Sequence, residues 1–366
     1  MKIAILGTRG VPNNYGGFEQ FAEFLSVGLV NKGHEVTVYN SHTHPYQESI
    51  WKGVTIKHIY DPEKKIGTMG QFVYDFLSIL DTRKKQFDII FQLGYTSSSV
   101  FYKLHASSAL LVTNMDGLEW KRTKYSKKVQ RFLLWAESLA IKQSDYLVSD
   151  SVGIQNYVQN KYDEESTYIP YGSELYNDTN ISVLKEYKLE PYKYNMLIAR
   201  LEPENSIEII LDGVVEANTE IPFLVVGNHQ TSFGDYLQKK YQGFKNIFFM
   251  GAIYKQEVLH NLRYFSNLYF HGHTVGGTNP SLLEAMGSNA LICAHNNEFN
   301  KSILEEDAFY FEDKDMVAKL LKTLDKSKYE SKLENNAKKI RETFSWDKII
   351  NEYETFFKNI MKKQTA

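Results

Sequence analysis

Residues 271 to 286, HGHTVGGTNPSLLEAM, gather two histidines, a Gly-Gly pair, an Asn-Pro step and a glutamate into one short stretch. The residue types allow an imidazole site or a backbone anion site. The placement of the glycines favours the second. NLYFHGH (267–273) reads as a strand, Gly276, Gly277, Thr278 and Asn279 as its loop, and PSLLEAMG as a helix with Pro280 in its first turn and Gly287 at its end. Small residues let the start of that helix, Ser281 included, approach a ligand phosphate closely. Glu284, one to two turns in, could accept hydrogen bonds from sugar hydroxyls; an exposed helix glutamate is the alternative. His271 and His273 equally well end a strand as polar residues.

Three other loops carry candidate chemistry. ARLEPENS (199–206) places Arg200 at the carboxyl end of the strand YNMLIA, where a guanidinium can grip a diphosphate, or else pair with Glu202 or Glu204. VGNHQTSFG (226–234) sets Gly227 and Asn228 at a further strand end. GTRGVPNNYGGFEQ (7–20) follows the first strand with Gly7, Gly10, Gly16 and Gly17, a spacing that does not match the dinucleotide fingerprint G-x-G-x-x-G. It reads as an anion loop or as a long turn without a ligand. No His/Cys/Asp cluster has metal-ligand spacing and no serine sits in a G-x-S-x-G elbow, so zinc-enzyme and serine-hydrolase readings lose ground. The single cysteine, Cys293, lies in the apolar run ALICA and reads as a small core residue. One cysteine excludes an intrachain disulfide framework and fits a reducing compartment.

Those loops need a scaffold that brings strand ends together. Short apolar runs at KIAIL (2–6), EVTVYN (35–40), VTIKHIY (54–60), FDIIFQLG (87–94), ALLVTNMDG (109–117) and DYLVSDS (145–151) alternate with helical patterns, and the alternation restarts at YNMLIARLE (194–202). This argues for parallel, doubly wound sheets, whose ligands bind outside the carboxyl ends of strands. A length of 366 residues suggests about two domains. The expected organisation is an N-terminal α/β domain over 1–172, a second over 173–345, and a C-terminal helix over 346–366 that packs back. A net charge of −2 gives no field that would select nucleic acid. No apolar run approaches the roughly 20 residues of a membrane span, and MKIAILG is too short for a signal peptide. These features predict a protein of the cytosol or of a membrane surface.

The Gly-Gly loop, SDYLVSDS followed by IPYG, ARLEPEN and the helix start PSLLEAM together resemble the retaining GT-B glycosyltransferases of family four. GTRGVPNNYGGFEQF, NMDGLEWKR and HGHTVGGTNPSLLEAM more narrowly resemble the branch containing bacterial rhamnosyltransferases of capsule and cell-wall assembly. The resemblance implies an α/β GT-B fold, with two Rossmann-like domains facing across a cleft. It implies a nucleotide-sugar donor, dTDP- or UDP-linked, on the C-terminal domain, a lipid-diphosphate-linked saccharide acceptor on the N-terminal one, and no resident cofactor or metal. On that likeness Arg200 and the N–H groups of 276 to 279 hold the diphosphate, with Asn205, Gly227, Asn228 and Ser281 nearby. Glu284 then holds the ribose, Gly16 and Gly17 lie against the transferred sugar, and Asp116, Glu119 and Trp120 meet the acceptor, with Asp116 a candidate base.

Two positions depart from the family pattern. Asn205 stands where a second diphosphate cation, a lysine, is usual, and Gly276 stands where the first Glu of the Glu-x7-Glu motif is usual, with His273 a candidate substitute. The segment KRTKYSKKVQRFLLWAESLAIKQ (121–143) is basic at its start and apolar along a helical stripe. It reads as a surface helix with a buried face or as a membrane-surface helix. The resemblance favours the membrane and a peripheral location at the inner face of a bacterial membrane.

Overall fold

The computed structural model describes every residue except Tyr15, Ser107, Thr123, Lys124 and Ala366, and only the backbone of Thr365. Of the segment 121–143, Thr123 and Lys124 therefore lie outside the described residues, as does Tyr15 of the first glycine loop. The chain divides into two compact units. The first comprises Met1–Lys121, Tyr125–Tyr171 and Trp346–Ala366, the second Arg122–Lys124 and Gly172–Ser345.

In the first unit the strands are β1 (Lys2–Leu6), β2 (Glu35–Ser41), β3 (Ile50–Trp51), β4 (Val54–Ile59), β5 (Ile89–Leu93), β6 (Leu110–Asn114), β7 (Tyr146–Ser149) and β8 (Thr167–Tyr168). They form one sheet in the order β3-β4-β2-β1-β5-β6-β7-β8, parallel except where β3 meets β4. The runs IIFQL and LLVTN are buried at every position, without alternation, because helices cover both faces of a parallel sheet. Helix Gly17–Asn31 buries Phe21, Leu25 and Leu29. The C-terminal helix Trp346–Thr365 packs within this unit, with Trp346 stacked on Phe24 at 4.4 Å and Tyr353 against Phe21 at 5.3 Å.

The second unit repeats the plan with β9 (Asn195–Ile198), β10 (Phe223–Val226), β11 (Ile247–Gly251), β12 (Leu268–His271), β13 (Ile292–His295) and β14 (Phe309–Phe311). Their order is β11-β10-β9-β12-β13-β14, all parallel. This is the doubly wound order 3-2-1-4-5-6, with its reversal between β9 and β12; in the first unit the reversal falls between β1 and β5. Leu197, Phe223, Phe270, Leu211 and Val317 form part of the core around the second sheet.

The basic segment differs from its expected form. Its helix begins at Lys127, because the Ser126 side chain accepts the Val129 N–H and caps it there, while Glu119–Lys121 is a short 3-10 turn.

Candidate functional site

In the second unit, the loops after β9 and β12 leave the two strands that flank the order reversal. They are stitched together through Glu204 and Asn205. The backbone N–H and hydroxyl of Thr274 both donate to the Glu204 carbonyl, at 3.1 and 2.8 Å. Gly272 lies so close to the Asn205 carbonyl that an added Cβ would sit 2.1 Å from its oxygen, so only glycine fits.

Asn205 fixes the state of His273. Its Nδ2 donates to the Arg200 carbonyl at 2.7 Å, and an amide nitrogen is the only end of the side chain that can do so. Its Oδ1 therefore faces His273 Nδ1, at 2.8 Å, and that nitrogen must carry the proton. Burial, with the charges of Arg122 and Arg200 beside it, pushes the imidazole down to about 3. His273 is neutral at pH 7, with Nε2 as its acceptor lone pair. An added Cβ at Gly276 would lie 3.0 Å from that Nε2, and Gly276 has φ +135, so a side chain here would both strain the backbone and crowd the imidazole. Burial likewise holds His271 neutral, at about 3, and its Nε2 has no hydrogen-bond partner among the described residues.

The helix Pro280–Gly287 uses its first-turn donors internally. Asn279 Oδ1 accepts the Ser281 N–H at 2.9 Å, and the Asn279 carbonyl accepts those of Leu282 and Leu283. The N–H groups of Gly276, Gly277 and Asn279 have no acceptor among the described residues. These N–H groups lie among the residues 276 to 279 that the resemblance gives to the diphosphate. Thr278 is buried in the same loop.

Glu284 is held from below. Arg263, 1% exposed, donates through Nη2 to Glu284 Oε2 at 2.8 Å and to Ser281 Oγ at 3.0 Å, with the Tyr269 hydroxyl 3.1 Å from the same Oγ. The Ser281 hydroxyl thus belongs to the support of Glu284, between Arg263 and Tyr269. Burial opposes the Arg263 charge, and Glu284 and Tyr269 outweigh it, so its pKa is raised.

Arg200 is exposed just past β9. It does not pair with Glu204, which is buried and has Arg122 at 3.8 Å as its ion-pair partner. Neither Glu204 carboxylate oxygen accepts a hydrogen bond among the described residues. Gly227 and Asn228 follow β10, the strand beside β9; the Gly227 N–H donates to the Gly251 carbonyl at 2.9 Å, and Asn228 Oδ1 accepts the Gln230 N–H at 3.0 Å.

In the first unit, Gly16 is the N-cap of helix Gly17–Asn31, and Glu19 in its first turn accepts from the Arg9 N–H at 2.8 Å and from Thr8 Oγ1 at 3.2 Å, which fixes the loop after β1. Asp116, just past β6, has φ +47, and its N–H donates to Asn114 Oδ1 at 2.9 Å. Aspartate is among the residues that adopt this left-handed region most readily. Glu119 and Trp120 lie on the following turn, where the Trp120 indole N–H donates to the Tyr157 hydroxyl at 3.1 Å, and Tyr157 in turn donates to buried Glu137 at 2.7 Å.

Arg263 and the pairing of Arg122 with Glu204 escaped the sequence reading. Arg263 left a signal: in QEVLHNLRYF it falls four residues after Leu259 and next to Leu262, on the buried stripe, and an arginine there demands a buried carboxylate. Among the described residues no group of three or more His, Cys, Asp or Glu is arranged to hold a metal ion.

Residues 1–174 match the family described as a domain of unknown function (DUF1972). An uncharacterized glycosyltransferase of Methanocaldococcus jannaschii is 25% identical over 248 residues, 61% of this chain; the match spans 60% of that relative's length. Among solved structures, sucrose-phosphate synthase from Thermosynechococcus elongatus superposes with a TM-score of 0.77 at 16% identity, over 99% of each chain. Anabaena HepE in complex with UDP-glucose superposes with a TM-score of 0.75 at 14% identity, over 98% of this chain and 99% of that one. With the two sheet orders above, these likenesses show the fold: two Rossmann-like units of the GT-B type.

Proposed function

We propose that this chain is a glycosyltransferase that moves a sugar from a nucleotide-sugar donor to an acceptor hydroxyl. The observation that carries the reading is the set of groups gathered at the carboxyl ends of β9 and β12: exposed Arg200, the N–H groups of Gly276, Gly277 and Asn279, neutral His273, and Glu284 anchored on Arg263. A diphosphate leaving group suits that guanidinium and those N–H groups, and a ribose suits the carboxylate. The curated relative is a glycosyltransferase by name, and HepE is described with UDP-glucose bound.

Departure of the nucleoside diphosphate leaves oxocarbenium character on the sugar. Fixed positive groups stabilise the developing negative charge on the leaving oxygen. Arg122, which adds its charge at His273, supplies the second cation that Asn205 does not. In our reading the acceptor attacks on the leaving-group face and the phosphate takes its proton, so configuration is retained without a protein nucleophile, a resident cofactor or a metal. Gly227, Asn228 and Thr278 line the donor, Gly16 and Gly17 the transferred sugar, and Asp116, Glu119 and Trp120 the acceptor. The resemblance in NMDGLEWKR, and Gly276 in place of a sugar-holding glutamate, fit a 6-deoxy sugar: L-rhamnose from dTDP-rhamnose, passed to a lipid-linked saccharide at a membrane surface.

The test is purified protein with a panel of dTDP-, UDP- and GDP-sugars and a lipid-diphosphate acceptor, read by mass spectrometry. Transfer from dTDP-rhamnose is expected, with Arg200→Ala lowering kcat/KM by roughly 10²–10³-fold. Transfer from another donor alone would refute the rhamnose assignment. Nucleotide binding by calorimetry with turnover of no donor would refute catalysis and leave a binding protein of an assembly complex.

A further inference from the structure

Two segments far apart in sequence form one surface in the first unit. Residues 64 to 69, KKIGTM, are exposed throughout, with Ile66 at 54% and Met69 at 62%. One turn beyond Met69, Phe72 meets Phe132 of helix Lys127–Gln143 at 5.7 Å, and Phe132 meets Trp135, 51% exposed, at 5.7 Å. Val129, one turn before Phe132, is also exposed. Met69 and Phe72 on one helix and Val129, Phe132 and Trp135 on the other are spaced as helical stripes, so the apolar strip crosses both helices.

The charges around this strip have one sign. Lys64, Lys65, Lys127, Lys128 and Arg131 are exposed, and none is ion-paired among the described residues. The carboxylates of the same two segments are engaged elsewhere: Glu63 by Arg9 at 2.8 Å, Asp75 by Ser97 at 2.6 Å, Asp81 by Lys84 at 2.9 Å, and Glu137 by Tyr157 and Tyr162 at 2.7 Å. A chain with net charge −2 thus exposes a local cluster of five cations around large apolar side chains. A neutral polar surface would leave both the apolar strip and the cations unmatched, and an acidic polar one would leave the strip unmatched. An anionic bilayer matches both, because acyl chains take the apolar residues and headgroups the cations.

We infer that Ile66, Met69 and Trp135, ringed by Lys64, Lys65, Lys127, Lys128 and Arg131, form a two-segment docking face for an anionic lipid bilayer. This deepens the reading of an enzyme acting on a lipid-linked acceptor and rests on it for the choice of occupant. It also names a segment, 64 to 69, that the basic helix alone does not include.

Flotation with phosphatidylcholine vesicles, and with vesicles containing 30% phosphatidylglycerol (~30% is ample to give the strongly negative surface that attracts such clusters), tests the inference. Wild-type protein should float with the anionic vesicles only, and less at high salt. Lys64→Gln/Lys65→Gln should lower partitioning roughly fivefold per lysine removed. Met69→Ser/Trp135→Ser should lower it while leaving the thermal unfolding of the first unit, which shows that the variant is folded, and nucleotide binding in vesicle-free solution unchanged. Equal flotation with both vesicle types, or none with folded protein, would overturn the inference. So would concentration-dependent dimerisation abolished by Trp135→Ser, which would assign the strip to a second copy of the chain. Failure of nucleotide binding with flotation intact would count against the transferase reading alone.

Discussion

Removing the Glu284 carboxylate should destabilise the second unit far more than removing its partner. Arg263 is 1% exposed, and its Nε and Nη1 have no hydrogen-bond partner among the described residues, so its charge depends on Glu284. Glu284→Leu would leave a buried, uncompensated guanidinium, a loss of about 3–5 kcal/mol. Arg263→Met would leave a carboxylate that is 13% exposed and partly hydrated, and should cost about 1–2 kcal/mol. The double variant replaces the pair by apolar groups, which is often close to neutral. For a unit of this size the single Glu284 change should lower its unfolding temperature by about 6–20 °C. Calorimetry of the four proteins, analysed as a double-mutant cycle, reads the pattern, and a donor titration on each folded variant reads binding. If Glu284→Leu unfolds at the wild-type temperature, the guanidinium has another source of compensation and the anchoring argument fails.

Three pH-linked predictions follow from buried or paired groups. His273 is held neutral down to about 3, below its ordinary 6.5, so its contribution to stability is present above pH 6.5 and is lost as pH falls from there towards 3; the rate profile should show no limb near 6.5 from this residue, and a limb that vanishes in His273→Gln would contradict its neutral state. Burial raises Asp75 from 3.8 to about 7, partly countered by the Ser97 hydrogen bond, so its contribution is full below pH 3.8 and is lost as pH rises through 7. Asp75→Asn should therefore stabilise the first unit at pH 8, by up to about 4 kcal/mol, as read by urea denaturation, and no gain would refute the burial argument. Hydrogen bonding by Lys358 and His34 lowers Glu354 to about 2, so the hold of the C-terminal helix should weaken between pH 4.5 and 2, with a change in Trp346 fluorescence that Glu354→Gln removes from that window.

The sequence by itself determined the class of fold. Mainly apolar runs without alternation, such as IIFQL and LLVTN, suit strands covered on both faces, and their alternation with helical patterns left a doubly wound sheet as the simple account. It also marked the loops, since Gly-Gly-Thr-Asn-Pro before an apolar helix and Arg200 after an apolar strand carry local signals. Only the tertiary structure decided what those loops contain. That Asn205 sets the proton on His273 and that Arg263 supports Glu284 are contacts between residues 68 and 21 positions apart, and Gly276 is small because the fold of its loop brings His273 Nε2 to 3.0 Å from the place of its Cβ. Periodicity and propensity describe neighbours along the chain. Which strand ends lie side by side, and hence which side chains share a charge or a proton, is set by the packing order of the sheet, which no local pattern encodes.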